Sequence, residues 1–159
     1  MLDLTQCDQR EQHLLGMFIL QMIDTLISFE QNSNTLKYLI YIDEAHRILG
    51  KSKDSDPESV EFIMKNNINN LFSNSIEECG AKGLGYIISE QKPYLLLDCA
   101  IDSARIKILF RLGYPSNEIF TGNVKEREML LCLQNRYTLV LNENERYLCK
   151  TIDDEYSGG

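Results

Sequence analysis

The chain has 159 residues, of which 43% are hydrophobic and 25% are charged, and this composition fits one globular domain rather than a disordered segment or a repeat array. The 24 Asp and Glu residues outnumber the 16 Lys and Arg residues, so the formal net charge is -8. This balance argues against a basic nucleic-acid clamp spread over the surface, because phosphate neutralisation needs clustered Lys and Arg. A few basic loops within a larger assembly remain compatible with it.

The five cysteines lie far apart, with no CxxC pair and no paired histidine ligands. This spacing predicts neither a zinc site nor a redox motif, and it indicates reduced thiols in a cytoplasmic protein. The longest apolar stretch, residues 14–27, is interrupted at helical spacing by Gln21 and Asp24. We therefore expect an amphipathic helix rather than a membrane span, and no membrane partner.

The first predicted elements are a short strand at residues 2–5 and a helix that follows Asp8. Asp8 and Glu11 have the spacing of a capping box, and apolar positions continue the helix until about Glu30. These apolar positions are Leu15, Phe18, Met22 and Leu26. Residues 38–42 then form a continuous apolar run, which predicts a central parallel strand that is buried on both faces.

A long helix is predicted next, with Asp56 as its N-cap, Pro57 as its first residue and Gly80 at its end. Four more elements complete the prediction: strands at 84–89 and 105–112, a helix at 124–133, and a hairpin around a turn at 142–145. Strands that alternate with helices favour an α/β fold with a mainly parallel sheet, flanking helices and a C-terminal β-hairpin. We expect residues 1–152 to form the domain and residues 153–159 to be a flexible tail.

The strongest local signal follows the apolar strand, where the chain reads Asp43-Glu44-Ala45-His46. Ligands of open parallel sheets bind at the carboxyl ends of the strands, so both carboxylates stand where a site is expected. One carboxylate can hold the Mg²⁺ shell of a nucleotide while its neighbour orients or deprotonates the attacking water. This pattern resembles the Walker B motif of P-loop nucleotide hydrolases. The alternative is that Asp43 only caps a short helix and Glu44 only faces solvent.

The letters DEAH also favour a superfamily 2 helicase, but the next strand runs into Ser89-Glu90-Gln91-Lys92-Pro93. That run resembles the S-T-Q-R-P signature of the HerA and FtsK family of hexameric DNA-translocating ATPases. Three further segments are similar to motifs of this family: 81–85 to R-K-x-G-L, 108–111 to I-x-F-R, and 2–5 to the strand after the nucleotide-binding helix. The resemblance covers almost the whole of residues 2–150.

The resemblance implies an incomplete RecA-like ATPase core of the ASCE type that uses ATP and Mg²⁺. In that core Asp43 holds Mg²⁺ through water, Glu44 is the catalytic base, and Ser89 lies against the nucleotide. Gln91 is the polar sensor that reaches the γ-phosphate or its attacking water. Arg111 stabilises phosphate charge within or across a subunit.

Several of these residues also have a purely structural interpretation. Gln91 could be a loop residue bonded to backbone, Arg111 could form a surface salt bridge, and His46 could be structural rather than a link between the nucleotide and neighbouring strands. Glu90 departs from the family pattern, which often has Thr at this position. The match of the sensor strand is therefore incomplete.

The phosphate loop of such an ATPase is missing. Gly50-Lys51-Ser52 reproduces the end of GxxxxGK[ST], but the first required position is Ala45 and the preceding segment is the DEAH turn rather than a strand. We interpret it as a decoy and expect the true loop upstream of Met1. Without backbone N–H groups to cradle the phosphates, we expect the chain alone to be inactive.

Basic residues near the motifs suggest a route to DNA. Lys51, Lys53 and Lys82 could line a pore when repeated around a hexameric ring, although for each one taken singly the favoured interpretation is a solvated loop residue. The resemblance implies double-stranded DNA as the translocated partner, homo-oligomerisation and, in some cases, a partner nuclease. Two other functions stay open, a DEAH-type helicase motor and a non-catalytic α/β assembly domain.

Overall fold

The computed structural model describes residue 4, residues 6–51, residue 56 and residues 58–152. The predicted strand at 2–5, apart from residue 4, lies outside these residues, as do Pro57, Lys53 and the tail. The chain divides into two compact units, Met1–Ser103 and Ala104–Gly159. Each unit is described by itself below.

Helix α1, Gln9–Phe29, begins with the predicted capping box. The Asp8 carboxylate accepts a hydrogen bond from the Glu11 backbone at 2.9 Å, and the Glu11 carboxylate accepts one from the Asp8 backbone at 2.8 Å. The buried face of the helix contains His13, Leu20 and Ile27, whereas the predicted apolar positions at 15, 18, 22 and 26 are exposed. The apolar pattern therefore predicted the helix but not the side of it that is buried.

By length and composition alone, Arg10–Phe29 could cross a membrane, and it is the one such helix in the described parts of the chain. In the structure this helix packs against α2, Val60–Lys82.

Strand β1, Tyr38–Ile42, and strand β2, Leu84–Ile88, pair in parallel, and α2 connects them. Helix α2 starts after Ser59, whose hydroxyl accepts a hydrogen bond from the Phe62 backbone at 3.1 Å. The prediction of Asp56 as N-cap is wrong, because the Asp56 carboxylate instead accepts from Glu58 at 3.0 Å, one turn too early.

The predicted end of α2 is also wrong. Gly80 lies inside the helix, and Gly83 closes it in the left-handed conformation with φ of 75°. A left-handed C-cap is the usual place for glycine, because a side chain there is strained.

The β1–β2 pair has one covered face and one bare face. On the covered face, the ring of Tyr86 meets Phe72 of α2 edge to face, with ring centroids 5.4 Å apart, and its hydroxyl lies 2.6 Å from the Ser75 hydroxyl. The bare face includes Leu39, Tyr41 and Ile87, which are 54%, 61% and 48% exposed. Tyr41 and Ile87 are register partners, and Leu39 precedes Tyr41 on the same face of β1. Strand β1 is therefore not buried on both faces within the described residues.

Two short turns follow the strands of the first unit. A 3₁₀ turn at Ala45–Arg47 follows β1, and another at Pro93–Leu95, with helix α3 at Asp98–Asp102, follows β2. The chain after each turn bonds to the other: the Lys51 N–H donates to the Leu95 carbonyl at 2.8 Å, and the Leu97 N–H donates to the Leu49 carbonyl at 2.9 Å. The two turns are therefore held side by side.

The second unit contains an antiparallel sheet in the order β3-β4-β5 and two helices. Its elements are β3 Ile106–Leu109, α4 Ser116–Phe120, α5 Val124–Cys132, β4 Tyr137–Asn142 and β5 Glu145–Lys150. Buried leucines of β3, α5 and β4 form its core. The β4–β5 hairpin confirms the prediction, because its two-residue connection allows only antiparallel pairing.

The α/β class agrees with the structure, but the described strands do not show a mainly parallel sheet. Two of them form a parallel pair, and the other three form the separate antiparallel sheet. Strand β3, which lies within the strand predicted at 105–112, pairs with β4 in the antiparallel direction.

Candidate functional site

The carboxyl ends of β1 and β2 meet at one edge of the parallel pair. The Ser89 N–H donates to the Ile42 carbonyl at 2.9 Å, and the Ala45 N–H donates to the Ser89 carbonyl at 3.3 Å. Asp43 and Glu44 therefore leave β1 beside the residues that leave β2. The structure brings four of the predicted site residues to this edge: Asp43, Glu44, Ser89 and Gln91.

Glu44 has an unusual backbone conformation, with φ of 49° and ψ of 49°. A non-glycine residue in this left-handed region costs about 1–3 kcal/mol and persists where surrounding contacts hold it. The contacts here are backbone hydrogen bonds on both sides, from Ala45 to Ser89 and from Arg47 to the Glu44 carbonyl at 3.0 Å. The strain sits on the residue that sequence analysis predicts to be the base.

His46 and Glu90 connect the two strand ends through side chains. The Glu90 carboxylate accepts hydrogen bonds from the His46 backbone at 2.8 Å and from the Lys92 backbone at 2.7 Å. Nδ1 of His46 lies 2.8 Å from Glu90 Oε2 and 3.5 Å from Glu44 Oε2. The side chain of Glu90 is only 4% exposed, so its carboxylate is a buried acceptor with several donors.

Three predicted site residues have free side chains. Asp43, Gln91 and Arg111 are exposed, and none of them makes a side-chain hydrogen bond or ion pair within the described residues. Asp43 does not cap the following turn, and Arg111 has no salt-bridge partner there. Arg111 belongs to the second unit, so it is placed only within that unit.

The strand edge offers two kinds of metal ligand. The free carboxylate of Asp43 is a hard oxygen donor at a strand end, and this donor suits water-coordinated Mg²⁺. Glu44, His46 and Glu90 place one ligand atom each within 4.8 Å of one another, which is a set that a transition metal could use. Hydrogen bonds already account for the positions of both Glu90 oxygens.

The Gly50-Lys51 segment does not have the geometry of a phosphate loop. Gly50 pairs with Leu96 in an isolated antiparallel bridge, and the Lys51 backbone N–H is already bonded to Leu95. The Lys51 ammonium lies 2.6 Å from Asp98. A phosphate loop needs free N–H groups between a strand and a helix, and this segment follows a 3₁₀ turn instead.

Two of the lysines predicted to line a DNA pore, Lys51 and Lys82, make contacts within the chain. Lys82 donates to the Glu30 carbonyl at 2.6 Å, at the end of α1, and Lys51 pairs with Asp98. An open groove of about 590 Å³ lies near Lys82, between residues 32–36 and 80–84. It is at the amino-terminal end of both strands, away from Asp43.

Sequence reasoning missed Glu90 as a site residue and left His46 undecided. Glu90 stood out only as a departure from the family pattern. A usable signal was present, because Glu90 and His46 each follow a strand predicted for a mainly parallel sheet, and the carboxyl ends of parallel strands share one edge.

No protein-family model and no curated protein matches the chain. Solved structures do match it. VirB4 of Thermoanaerobacter pseudethanolicus is similar with a TM-score of 0.70 and 14% identity, over 97% of this chain and 40% of that chain. The genome packaging NTPase B204 from Sulfolobus turreted icosahedral virus 2, in complex with AMPPCP, is similar with a TM-score of 0.51 and 20% identity, over 73% of this chain and 53% of that one.

B204 from Sulfolobus Turreted Icosahedral Virus, described as a DNA-packaging ATPase, gives a TM-score of 0.50 at 20% identity, over 72% of this chain and 52% of that one. This chain thus spans about two fifths of the VirB4 chain and about half of each B204 chain. At these identities the likeness concerns the fold. The chain therefore has the fold of part of VirB4 and of part of a packaging NTPase.

Proposed function

We propose that this chain is the hydrolytic part of a HerA-like ATPase core that couples ATP hydrolysis to translocation of double-stranded DNA. One observation carries the proposal: Asp43 and Glu44 leave a parallel strand directly beside Ser89 and Gln91. Ligand sites of open parallel sheets lie at this edge. The fold similarity to a genome packaging NTPase that was crystallised with AMPPCP supports the same class of ligand.

Each side chain of the proposed site has a distinct role in hydrolysis. Asp43 and Ser89 hold the metal–nucleotide side of the site, and Mg²⁺, when bound, supplies positive charge to the phosphate oxygens. Glu44 accepts the proton of the attacking water on a carboxylate oxygen, and Gln91 orients that water with its amide. Arg111, within its own subunit or toward a neighbouring one, adds positive charge for the transition state.

We propose that the phosphate-binding loop comes from a segment outside these 159 residues. Parallel sheets are normally covered on both faces, whereas Leu39, Tyr41 and Ile87 leave one face of β1–β2 bare. A strand and helix that bring a GxxxxGK[ST] loop beside β2 would cover apolar surface of this kind. This proposal predicts a GxxxxGK[ST] motif in the coding sequence upstream of Met1.

DNA translocation, a hexameric ring and a partner nuclease are the finer parts of the proposal. The fold similarity to B204, a DNA-packaging ATPase, supports DNA as the translocated partner. In a ring, Lys51, Lys53 and Lys82 would each occur six times, so even an acidic subunit can present positive charge to a pore. A cytoplasmic location agrees with five free cysteines.

The Glu44→Gln variant tests the assignment in the protein that includes the phosphate-binding segment. Removing a general base lowers turnover by about 10²–10⁴-fold, while the amide keeps the size of the side chain, so nucleotide affinity should be retained. Phosphate release measures the first quantity, and calorimetry with ATP measures the second. Glu128→Gln is the matched control, since it removes the same charge from an exposed site on α5.

Undiminished turnover in Glu44→Gln would contradict the assignment of the base. If the intact protein oligomerises but binds no nucleotide, the chain is an assembly domain that keeps the fold of an ATPase without its activity.

A further inference from the structure

We propose that Glu90 is a positioning residue for Glu44, and that it acts through His46 and through the backbone of the turn at Ala45–Arg47. The inference rests on the proposed function, in which Glu44 is the base. Glu90 stands where the family pattern often has Thr, and its contacts with His46 and the turn provide the route by which it acts on Glu44.

The surroundings of Glu90 fix its carboxylate in place. Its oxygens accept from two backbone N–H groups, those of His46 at 2.8 Å and Lys92 at 2.7 Å, and also lie within 3.0 Å of the His46 ring nitrogen. A carboxylate that is buried to this degree needs such partners, because desolvation of an unpaired charge is costly. Charge-assisted hydrogen bonds are also shorter and stronger than neutral ones. The side chain therefore has one well-defined position.

His46 extends this fixed position to Glu44. A carboxylate only accepts hydrogen bonds, so the ring nitrogen that faces Glu90 at 2.8 Å carries the proton. That bond sets the orientation of the ring, and the same nitrogen lies 3.5 Å from Glu44 Oε2. Two carboxylates, one buried and one about 29% exposed, thus share one imidazole edge.

The backbone provides a second connection. Glu44 occupies the left-handed region, and the two residues after it donate their N–H groups to the end of β2, Ala45 to the Ser89 carbonyl and His46 to the Glu90 carboxylate. Without the Glu90 carboxylate, the hydrogen bond from the His46 backbone is lost, and fewer contacts hold Glu44 in its strained conformation. Glu90 lies between Ser89 and Gln91 in the chain. A displacement of these two proposed nucleotide-site residues would therefore also move Glu90 and, through it, Glu44.

The test compares variants in the protein that includes the phosphate-binding segment. For Glu90→Gln we expect kcat to fall by roughly 10–100-fold, because an amide cannot accept from both backbone donors and misplacement of a reacting group by an ångström has effects of this size. The KM for ATP should stay within about twofold, since the Glu90 side chain is buried and both of its oxygens accept from protein donors. The control is Glu30→Gln, which alters a glutamate with two side-chain partners, Lys37 and Tyr38, each at 2.9 Å, at the other end of β1. Its kcat should be unchanged.

Two His46 variants give a readout that a purely structural role would not move. His46→Asn keeps a donor near the position of the ring nitrogen, and His46→Ala removes it. We expect the asparagine variant to retain several-fold more turnover than the alanine variant at equal nucleotide affinity. Because the His46 side chain is about one quarter exposed, this pair remains informative if Glu90→Gln does not fold.

Normal kcat in Glu90→Gln, together with lost turnover in Glu44→Gln, would overturn the positioning role and leave the proposed function standing. Normal turnover in both would overturn the proposed function itself. A third result would also overturn the proposal and assign Glu90 a structural role only. In that case Glu90→Gln loses kcat, nucleotide affinity and thermal midpoint together, and His46→Asn and His46→Ala have the same turnover.

Discussion

His13 is a buried titratable side chain outside the candidate site. It is 2% exposed, and its Nε2 atom has no hydrogen-bond partner within the described residues. Burial, followed by the nearby Lys65 ammonium, lowers the pKa of His13 below its ordinary value of 6.5. Glu61 and a backbone hydrogen bond with Arg47 oppose this effect without reversing it.

The lowered pKa of His13 predicts acid sensitivity. As the pH falls below about 6.5, His13 takes up a proton in the unfolded chain but stays neutral in the folded chain. The free energy of unfolding therefore decreases until the pH passes the lower folded-state pKa. In His13→Gln this contribution is absent. Urea unfolding of both proteins between pH 5 and pH 8 should give a difference in unfolding free energy that shifts in favour of the variant as the pH falls. A pH-independent difference would contradict the lowered pKa.

Two glycines near the end of α2 have opposite requirements, although only three positions separate them. Gly83 has φ of 75°, and a Cβ atom there would lie 2.4 Å from the Thr35 carbonyl oxygen. Gly80 is helical, and a Cβ atom there would meet no atom within 4 Å. One position therefore requires glycine, and the other only tolerates it.

Alanine substitutions at these two positions should change stability in opposite directions. Gly83→Ala should lower the free energy of unfolding by at least about 1–2 kcal/mol, the cost of a left-handed alanine, with the carbonyl contact adding to it. Gly80→Ala should raise it by about 0.5–1 kcal/mol, because alanine loses less backbone entropy in a helix. Equal effects of the two changes in urea unfolding would show that α2 does not end at Gly83.

Sequence predicted those elements whose signals lie within a few residues. The capping box of Asp8 and Glu11, the bounds of the strand at 38–42 and the hairpin turn at 142–145 are all local patterns. The start of α2 was placed three residues early because Asp56 and Ser59 both belong to residue types that are favoured as N-caps. The contact of Glu90 with His46 joins positions 44 residues apart, and no local pattern encodes it.

Strand β1 was predicted to be buried on both faces, and its observed exposure differs from this prediction for one physical reason. Continuous apolar strands of parallel sheets are selected for two covered faces, and α2 supplies only one cover here. The composition of β1 therefore fits a larger sheet than the described residues contain.

Replacement of Leu39 by threonine tests whether the bare face is covered in a longer protein. Threonine keeps β propensity and removes apolar area, so Leu39→Thr should cost about 1.5–3 kcal/mol of unfolding free energy where the face is covered. The control is Leu148→Thr on β5, which is 57% exposed on the edge strand of an antiparallel sheet. Such a sheet can face water, and the control should cost less than about 0.5 kcal/mol.

The comparison should be repeated with the 159-residue chain alone. There both changes should be nearly neutral, since both leucines are exposed. An equally small effect of Leu39→Thr in the longer protein would mean that no segment covers this face.

The close approach at Gly50 has a consequence for motif searches. A Cβ atom at this position would lie 2.1 Å from the His46 carbonyl oxygen, so the turn after the DEAH residues requires glycine for steric reasons. Lys51 and Ser52 follow it and complete the letters Gly-Lys-Ser, so the turn by itself explains the glycine of this apparent phosphate-loop ending. Ala45 stands where GxxxxGK[ST] requires its first glycine, so a search with the complete pattern passes over this segment, and only a search for the shortened GK[ST] ending would report it.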